Sequence, residues 1–380
     1  MIFKKMIRIE EILFASYIIF NFIDRQISYI CLLLLLSICI YNIFKYKNKI
    51  YSSLIISVII FSSWISISAY INNTPLHELD NYYRFLLLLP LLFNRISSVN
   101  LDKIIIFSFL FALIHFIFTY STEEPLRYLG SSNNAITYAS VCSILILICF
   151  YKILSDNLNK RQLLLYFVIV LFFAFCIIAT ESRGPVIGLI PAIILMCILF
   201  RNFKILPLVL IPILLVIYID NPLKERFKRL AIVTEINKEN INDIEYSSVR
   251  ERIVYLMYGI DRMKKNYLYG IGSHNVHADL AVYIDNENLI AHPRDHLHND
   301  IIDITVKFGF MATLLLMIIY YMILKTSYSE KSISIVFPLV LFFIISQITQ
   351  SQFAHSQITT MIITLIYIFS TSDWKKKEIN

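Results

Sequence analysis

Apolar runs close to the roughly 20 residues that an α-helix needs to cross a bilayer recur along most of this chain. In hydrocarbon every backbone N–H and C=O must be satisfied internally, so only helices and closed barrels can span a membrane. A transmembrane barrel would show segments of about 10 residues with alternating polarity. Runs such as CLLLLLSICIYNIF (31–44) do not alternate. The composition agrees: the 380 residues are 58% hydrophobic, and the mean hydropathy is +0.68. A soluble domain is nearer 45–50% apolar. The reading is an all-α polytopic integral membrane protein. A net charge of +7 would suggest nucleic acid for a soluble chain. Here the placement of Lys and Arg matters more, because it sets topology, and no nucleic-acid partner is expected.

About twelve spans are predicted: 11–23, 27–44, 50–71, 82–96, 102–120, 135–154, 163–180, 185–200, 204–219, 300–324, 333–350 and 356–371. The connections between them fall into two sets. One is basic: Lys4, Lys5 and Arg8; KYKNK (45–49); Arg95 with Lys103; Lys152, Lys160 and Arg161; Arg201 with Lys204; Lys325 with Lys331; and WKKK near the end. The other comprises DRQ (24–26), NNTPLHELDNYYR (72–84), STEEPLRYLGSSNN (121–134), ESRG (181–184), the segment 220–299 and QSQFAHSQ (350–357). The two sets alternate. By the positive-inside rule, both termini are expected in the cytoplasm and the second set faces outward. Three parts follow: 1–219 with nine spans, 220–299 as one large helical extramembrane loop, and 300–380 with three spans and a cytoplasmic end. The first apolar run lacks a small-residue cleavage site, so it reads as a first span rather than a cleavable signal. Cys31, Cys39, Cys142, Cys149, Cys176 and Cys197 all lie inside apolar runs. Neither a disulfide framework nor a zinc–thiolate site is expected from them.

A connection of 80 residues is too long to serve only as a link, and such loops are usually functional. Within it, SSVRERIVYLMYGIDRM (247–263) places Val249, Ile253, Leu256, Met257 and Ile260 at helical spacing. Ser247 or Ser248 would cap this helix, with Glu251 able to complete a capping box. The apolar stripe suggests a helix lying on the membrane surface or on the bundle. YGIGSHN (269–275) then breaks it at its glycines.

Two clusters on the outward set carry chemistry. In IIATESRGPVIGLIPA, Glu181 and Arg183 sit between two spans with almost no loop. Charge at that depth is expensive and points to function, although an interfacial arginine can also snorkel to headgroups. Guanidinium presents a planar fork that matches two phosphate oxygens. Arg250, Arg252 and Arg262 on the loop helix could join Arg183 in holding a lipid pyrophosphate, or could form a solvated helix face.

The second cluster is AHPRDHLHNDII (291–302), where three histidines, two aspartates and an arginine crowd into ten residues ahead of an apolar run. Five of the chain's eight histidines lie between His274 and His298. An imidazole can take a proton from a hydroxyl near neutral pH. His298 sits at a helix start. His296, two residues earlier, would not share its helical face. Asp295 or Asp300 could orient a ring. His274, His277, His292, His296 and His298 could instead supply metal ligands or be ordinary loop residues. Their spacing matches no zinc pattern and no HExxH is present.

Taken together, SRG at a tight outer turn, SSVRERIVYLMYGI early in a late long loop, and HLHNDIID at its exit resemble the O-antigen ligases. These form one superfamily of membrane glycosyltransferases with the O-antigen polymerases. The resemblance in architecture covers nearly the whole chain, and its specific part is 247–309. It implies a bundle of the GT-C type. It also implies transfer of a glycan from undecaprenyl pyrophosphate to lipid A-core, with inversion and without metal, nucleotide or other cofactor. The site would lie on the periplasmic face of the inner membrane of a Gram-negative bacterium. His298 would be the base, while Arg183 and Arg252, with Arg250 as the near alternative, would hold the pyrophosphate. His296, Asp300 and Glu181 would support them. His355 has no assigned part.

The nearest alternative is an O-antigen polymerase, and YGIG is a turn common in polymerases too. A flippase or other transporter would place polar groups in mid-span and show internal repeats. The charged clusters here lie at span ends.

Overall fold

The computed structural model describes residues 2–46, 52–93, 101–120, 134–203, 241–242, 247–327 and 330–371. The expected ninth span (204–219), the connection 121–133 and residues 220–240 of the long loop lie outside the described residues. All regular elements among the described residues are helical. In order they are α1 (Ile2–Phe20), α2 (Arg25–Tyr46), α3 (Ser52–Ile71), the one-turn α4 (Arg84–Leu87), α5 (Leu101–Tyr120), α6 (Ala135–Ser155), α7 (Lys160–Ala179), α8 (Arg183–Leu199), α9 (Ser247–Lys265), α10 (Val276–Asn286), α11 (Asp300–Phe308), α12 (Phe310–Thr326), α13 (Glu330–Thr349) and α14 (Ser356–Thr371).

Among the described residues, six helices are long and apolar enough to cross a membrane: Arg25–Ile43, Ser53–Ile71, Leu101–Thr119, Ala135–Ser155, Lys160–Ala179 and Ser332–Thr349. The shorter apolar helices Arg183–Leu199, Phe310–Thr326 and Ser356–Ser370 accompany them. Their outer surface is oily: Ile30, Leu33, Phe118 and Leu164 are 55%, 63%, 70% and 63% exposed. Ser140, Ser143 and Ser346 lie inside with no exposure. That arrangement suits a hydrocarbon solvent, because a helix there gains nothing by hiding leucine. α6 runs through the centre, with most of its length buried. All six cysteines are buried and unbridged.

Two expected spans are not simple helices. The run 82–96 enters the bundle as α4, followed by a 3₁₀ turn (Leu89–Phe93). Pro90 lacks the N–H that an α-helix needs. The segment still descends: Tyr82 reaches Asp303 near the loop, while the Phe85 carbonyl accepts from the Tyr367 hydroxyl in the last third of α14. Non-helical backbone is tolerated at such depth where protein surrounds it, and Phe85, Leu91 and Leu92 are buried.

The run 300–324 divides at Gly309, whose φ is 85°, into α11 and α12. Three backbone bonds lay the glycine-rich stretch 267–272 against this break: Phe310 N–H to Tyr267 O (2.7 Å), Ile271 N–H to Val306 O (2.9 Å) and Gly272 N–H to Lys307 O (3.0 Å). YGIG is therefore a docking strip for α11. α3 holds it from the other side: Trp64 stacks on Tyr269 at 5.4 Å and donates to Phe308 O, and Ser68 and Asn72 both donate to Tyr269 O.

The loop has a core of its own, built from Val254, Tyr255, Tyr258, Val276, Leu280, Tyr283 and Leu297. α9 forms as expected, but with its buried face rotated. Tyr255 and Tyr258 are fully buried, whereas Leu256 and Ile260, expected in the apolar stripe, are each 44% exposed. The tyrosines win because each hydroxyl finds a partner. Tyr255 donates to His292 O (2.6 Å) and Tyr258 to Asp279 (2.8 Å). Ser247 and Ser248 lie within α9, and the residues just ahead of it (243–246) are outside the described residues, so the expected cap is not seen.

Candidate active site

Described parts of the connections expected to face outward bond to one another. Arg25, in DRQ, donates to Ser356 at the start of α14, and Tyr29 bonds the same hydroxyl. Thr74 pairs with His274. In the basic set, Lys152 bonds Asp102 (3.0 Å), tying α6 to α5, and the Tyr166 hydroxyl of α7 donates to the same carboxylate.

Arg183 opens α8, after a three-residue turn (180–182) in which Glu181 has φ 54°. The arginine is 7% exposed. α8 and α13 cross closely because α8 presents glycines. A Cβ on Gly184 would fall 2.5 Å from the Gln350 amide, and one on Gly188 would fall 2.6 Å from Ser346 Oγ. Close backbone approach through small residues is how membrane helices pack without a hydrophobic drive. The glycine after Arg183 therefore seats the arginine beside the turn that follows α13.

That turn is fixed by Asp300. Its buried carboxylate accepts the backbone N–H groups of Gln352 (2.8 Å) and Phe353 (3.2 Å). The expectation that Asp300 orients an imidazole is corrected here, since its oxygens are committed to backbone. His355 lies just beyond this turn, among Arg25 and His296.

His296 and His298 are also placed differently from expectation. Both precede α11, whose N-cap is Asn299, so the helical-face argument does not apply. Leu297 turns into the loop core, and the two rings meet edge to face with centroids 4.7 Å apart. Tyr255 lies along the other side of His298, 5.9 Å away and 20° from parallel. His298 itself has φ 54°.

Burial lowers the His298 pKa to about 3, helped by the nearby charges of His296, Arg252, Arg294 and His355. Burial likewise lowers His355 to about 4, and it lowers His296. At neutral pH these imidazoles are uncharged.

The arginines separate into two groups. Arg252 acts electrostatically on His298. Arg250 reaches the Asn242 carbonyl. Arg262, expected to converge with them, forms a fork to Asp279 (2.5 and 3.0 Å) beneath the Tyr258 ring and stitches α9 to α10. Three residues were missed as site components: Arg294, Arg25 and His355. Arg294 stands within the histidine-rich stretch itself. The other two share the outward set with it, which was the available signal. Among the described residues, no three His, Cys, Asp or Glu side chains come together as a metal-binding group.

This is an integral membrane helical bundle whose loop domain brings imidazole and guanidinium groups to one end. Residues 167–317 match the family model described as O-antigen ligase. The match supports membership in the O-antigen ligase superfamily of glycosyltransferase-like membrane enzymes, a group that includes ligases and polymerases. The matched stretch runs from α7 into α12 and contains Arg183, Arg252 and His298. No curated protein matches the chain in sequence.

Proposed function

We propose that the protein is an O-antigen ligase acting on the periplasmic side of a Gram-negative inner membrane. It transfers a glycan from undecaprenyl pyrophosphate to lipid A-core. The observation that carries this reading is the setting of His298, an uncharged imidazole framed by Tyr255 and His296 with Arg252 and Arg294 beside it.

His298 takes the proton from an acceptor sugar hydroxyl, whose oxygen attacks the anomeric carbon. The bond from that carbon to the pyrophosphate oxygen breaks, and undecaprenyl pyrophosphate leaves. Attack opposite the leaving group inverts the anomeric centre. Arg183 and Arg252 hold the pyrophosphate, with Arg250 and Glu181 in support, and they stabilise the charge that grows on departure. The donor is already activated, so no ATP enters. The arginines supply the positive charge, so no metal is required.

The test is transfer in vitro with purified protein, lipid-linked glycan and core acceptor. His298→Ala should lose about 10²–10⁴-fold while still binding the donor, and chelators should leave the wild type unaffected. Activity retained by His298→Ala, or lost on chelation and restored by a divalent ion, would overturn the assignment. Deleting the gene in its host separates ligase from polymerase. A ligase deletion leaves core without any O-chain, and a polymerase deletion leaves core bearing a single repeat unit.

A further inference from the structure

α11 carries a buried ion pair that the chemistry above does not use. Asp303 and Lys307 are 2% and 5% exposed, and Lys307 Nζ lies 2.7 Å from Asp303 Oδ2. The Tyr82 hydroxyl stands 3.5 Å from both groups. Its ring is clamped between Phe353, stacked at 5.4 Å, and Phe308, edge-on at 4.7 Å. One carboxylate oxygen is thereby spoken for. The other, Oδ1, accepts the backbone N–H of Leu297 at 3.0 Å.

Leu297 is the residue between the two histidines, and the next residue, His298, holds a left-handed backbone. A non-glycine residue stays there only when its surroundings over-determine it. They do so from both sides. On one side Asp303 grips the Leu297 amide. On the other, the Asn299 side chain accepts from Ile301 (3.1 Å) and Ile302 (3.2 Å), and the Asn299 carbonyl accepts from Asp303 N (2.8 Å).

We infer that Asp303 is a positioning residue, which holds the Leu297 amide and so fixes the turn that presents the His298 imidazole beside Tyr255 and Arg252. Lys307 and Tyr82 hold its other oxygen and so keep the carboxylate aimed. The inference rests on His298 being the base.

Removing one partner of a buried pair leaves an uncompensated charge, so single substitutions confound folding with positioning. Two double variants avoid this. Asp303→Asn with Lys307→Met deletes both charges but retains an oxygen for the Leu297 N–H. Asp303→Leu with Lys307→Met deletes both charges and the acceptor. If the leucine version fails to fold, Asp303→Ser with Lys307→Met takes its place, since serine is too short to reach Leu297.

The first pair should recover most of the wild-type transfer. The acceptor-less pair should lose roughly a hundredfold in kcat, the scale of a 1 Å misplacement of a catalytic group, with the donor KM unchanged. The groups facing His298 are His296 and Arg294 from its own segment, Arg252 and Tyr255 from α9, and His355 from the turn before α14. A ring released from them regains its ordinary basicity. The acid limb of the rate profile should therefore move up toward about 6.5 in the acceptor-less pair alone. Equal kcat in the two double variants would overturn the inference. A loss that merely tracks the amount of folded protein, with the acid limb unmoved, would do the same. His298→Ala, run alongside, isolates the premise: activity in that variant removes the base itself rather than its positioning.

Discussion

Replacing Gly309 with alanine is the sharpest test of how the loop is held. Gly309 has φ 85°, which a residue with a side chain enters at a cost of roughly 1–2 kcal/mol. Space is the larger obstacle. An ideal Cβ would sit 1.7 Å from Leu268 O, 2.4 Å from Leu268 C and 2.9 Å from Tyr269 N. Those atoms are backbone, so relief requires the whole strip 267–272 to move off α11. The bonds from Phe310, Ile271 and Gly272 would lengthen together. At about 0.5–1.5 kcal/mol each, the sum with the dihedral cost is roughly 3–6 kcal/mol. Gly259→Ala is the control. There a Cβ meets Ile302 Cγ2 at 2.2 Å, the end of a side chain, and the glycine is in mid-helix. Overpacking of roughly 1–3 kcal/mol is partly offset by about 1 kcal/mol of helix propensity. Thermal unfolding in detergent, together with proteolysis of the loop, should rank the proteins as wild type, then Gly259→Ala, then Gly309→Ala, with transfer lost in the last. A Gly309→Ala protein as stable as Gly259→Ala would refute the docking described here.

Arg183→Lys keeps the charge but loses the planar fork, and should lower transfer roughly tenfold or more, since a hydrogen bond to a charged group contributes about 1.5–3 kcal/mol. Full activity at equal protein level would reduce Arg183 to an interfacial anchor. The pH dependence of stability follows from the histidines. His298 and His355 have folded-state pKa values of about 3 and about 4, below the value near 6.5 of the unfolded chain. The unfolded state therefore binds more protons as the pH drops, so their contribution is complete above about 6.5 and is lost as the pH falls toward 4 and then 3. The apparent melting temperature should decline over that window, and His355→Gln should flatten the decline. An unchanged slope in the variant would refute the link.

The membrane class, most of the spans and the residues of the candidate site were legible in the sequence because each rests on local chemistry. A run of about 20 apolar residues has few alternatives in any context, and a histidine among leucines is conspicuous wherever it folds. Among the described residues, Arg25 of one connection expected to face outward bonds Ser356 of another. What failed were inferences that needed the partner surface. Periodicity favoured Leu256 and Ile260 for the buried face of α9. Only the carbonyl of His292 and the carboxylate of Asp279, both distant in sequence, explain why Tyr255 and Tyr258 took it. Asp300 read as a partner for imidazole until the turn at 352–353 supplied two N–H groups that needed an acceptor more.

The sequence alone therefore determined the solvent this chain lives in, the order of its spans and the stock of groups available to its site, since transfer free energy and titration are properties of individual residues. The tertiary structure decided which of those groups meet. It broke the span at Gly309 so that a glycine strip could dock, and it set Arg262 to structural duty and Arg252 beside His298. It also turned the two imidazoles to the same side by placing them ahead of the helix. Such outcomes depend on hydrogen bonds and packing between segments up to hundreds of residues apart, and no pattern within one segment encodes its partner.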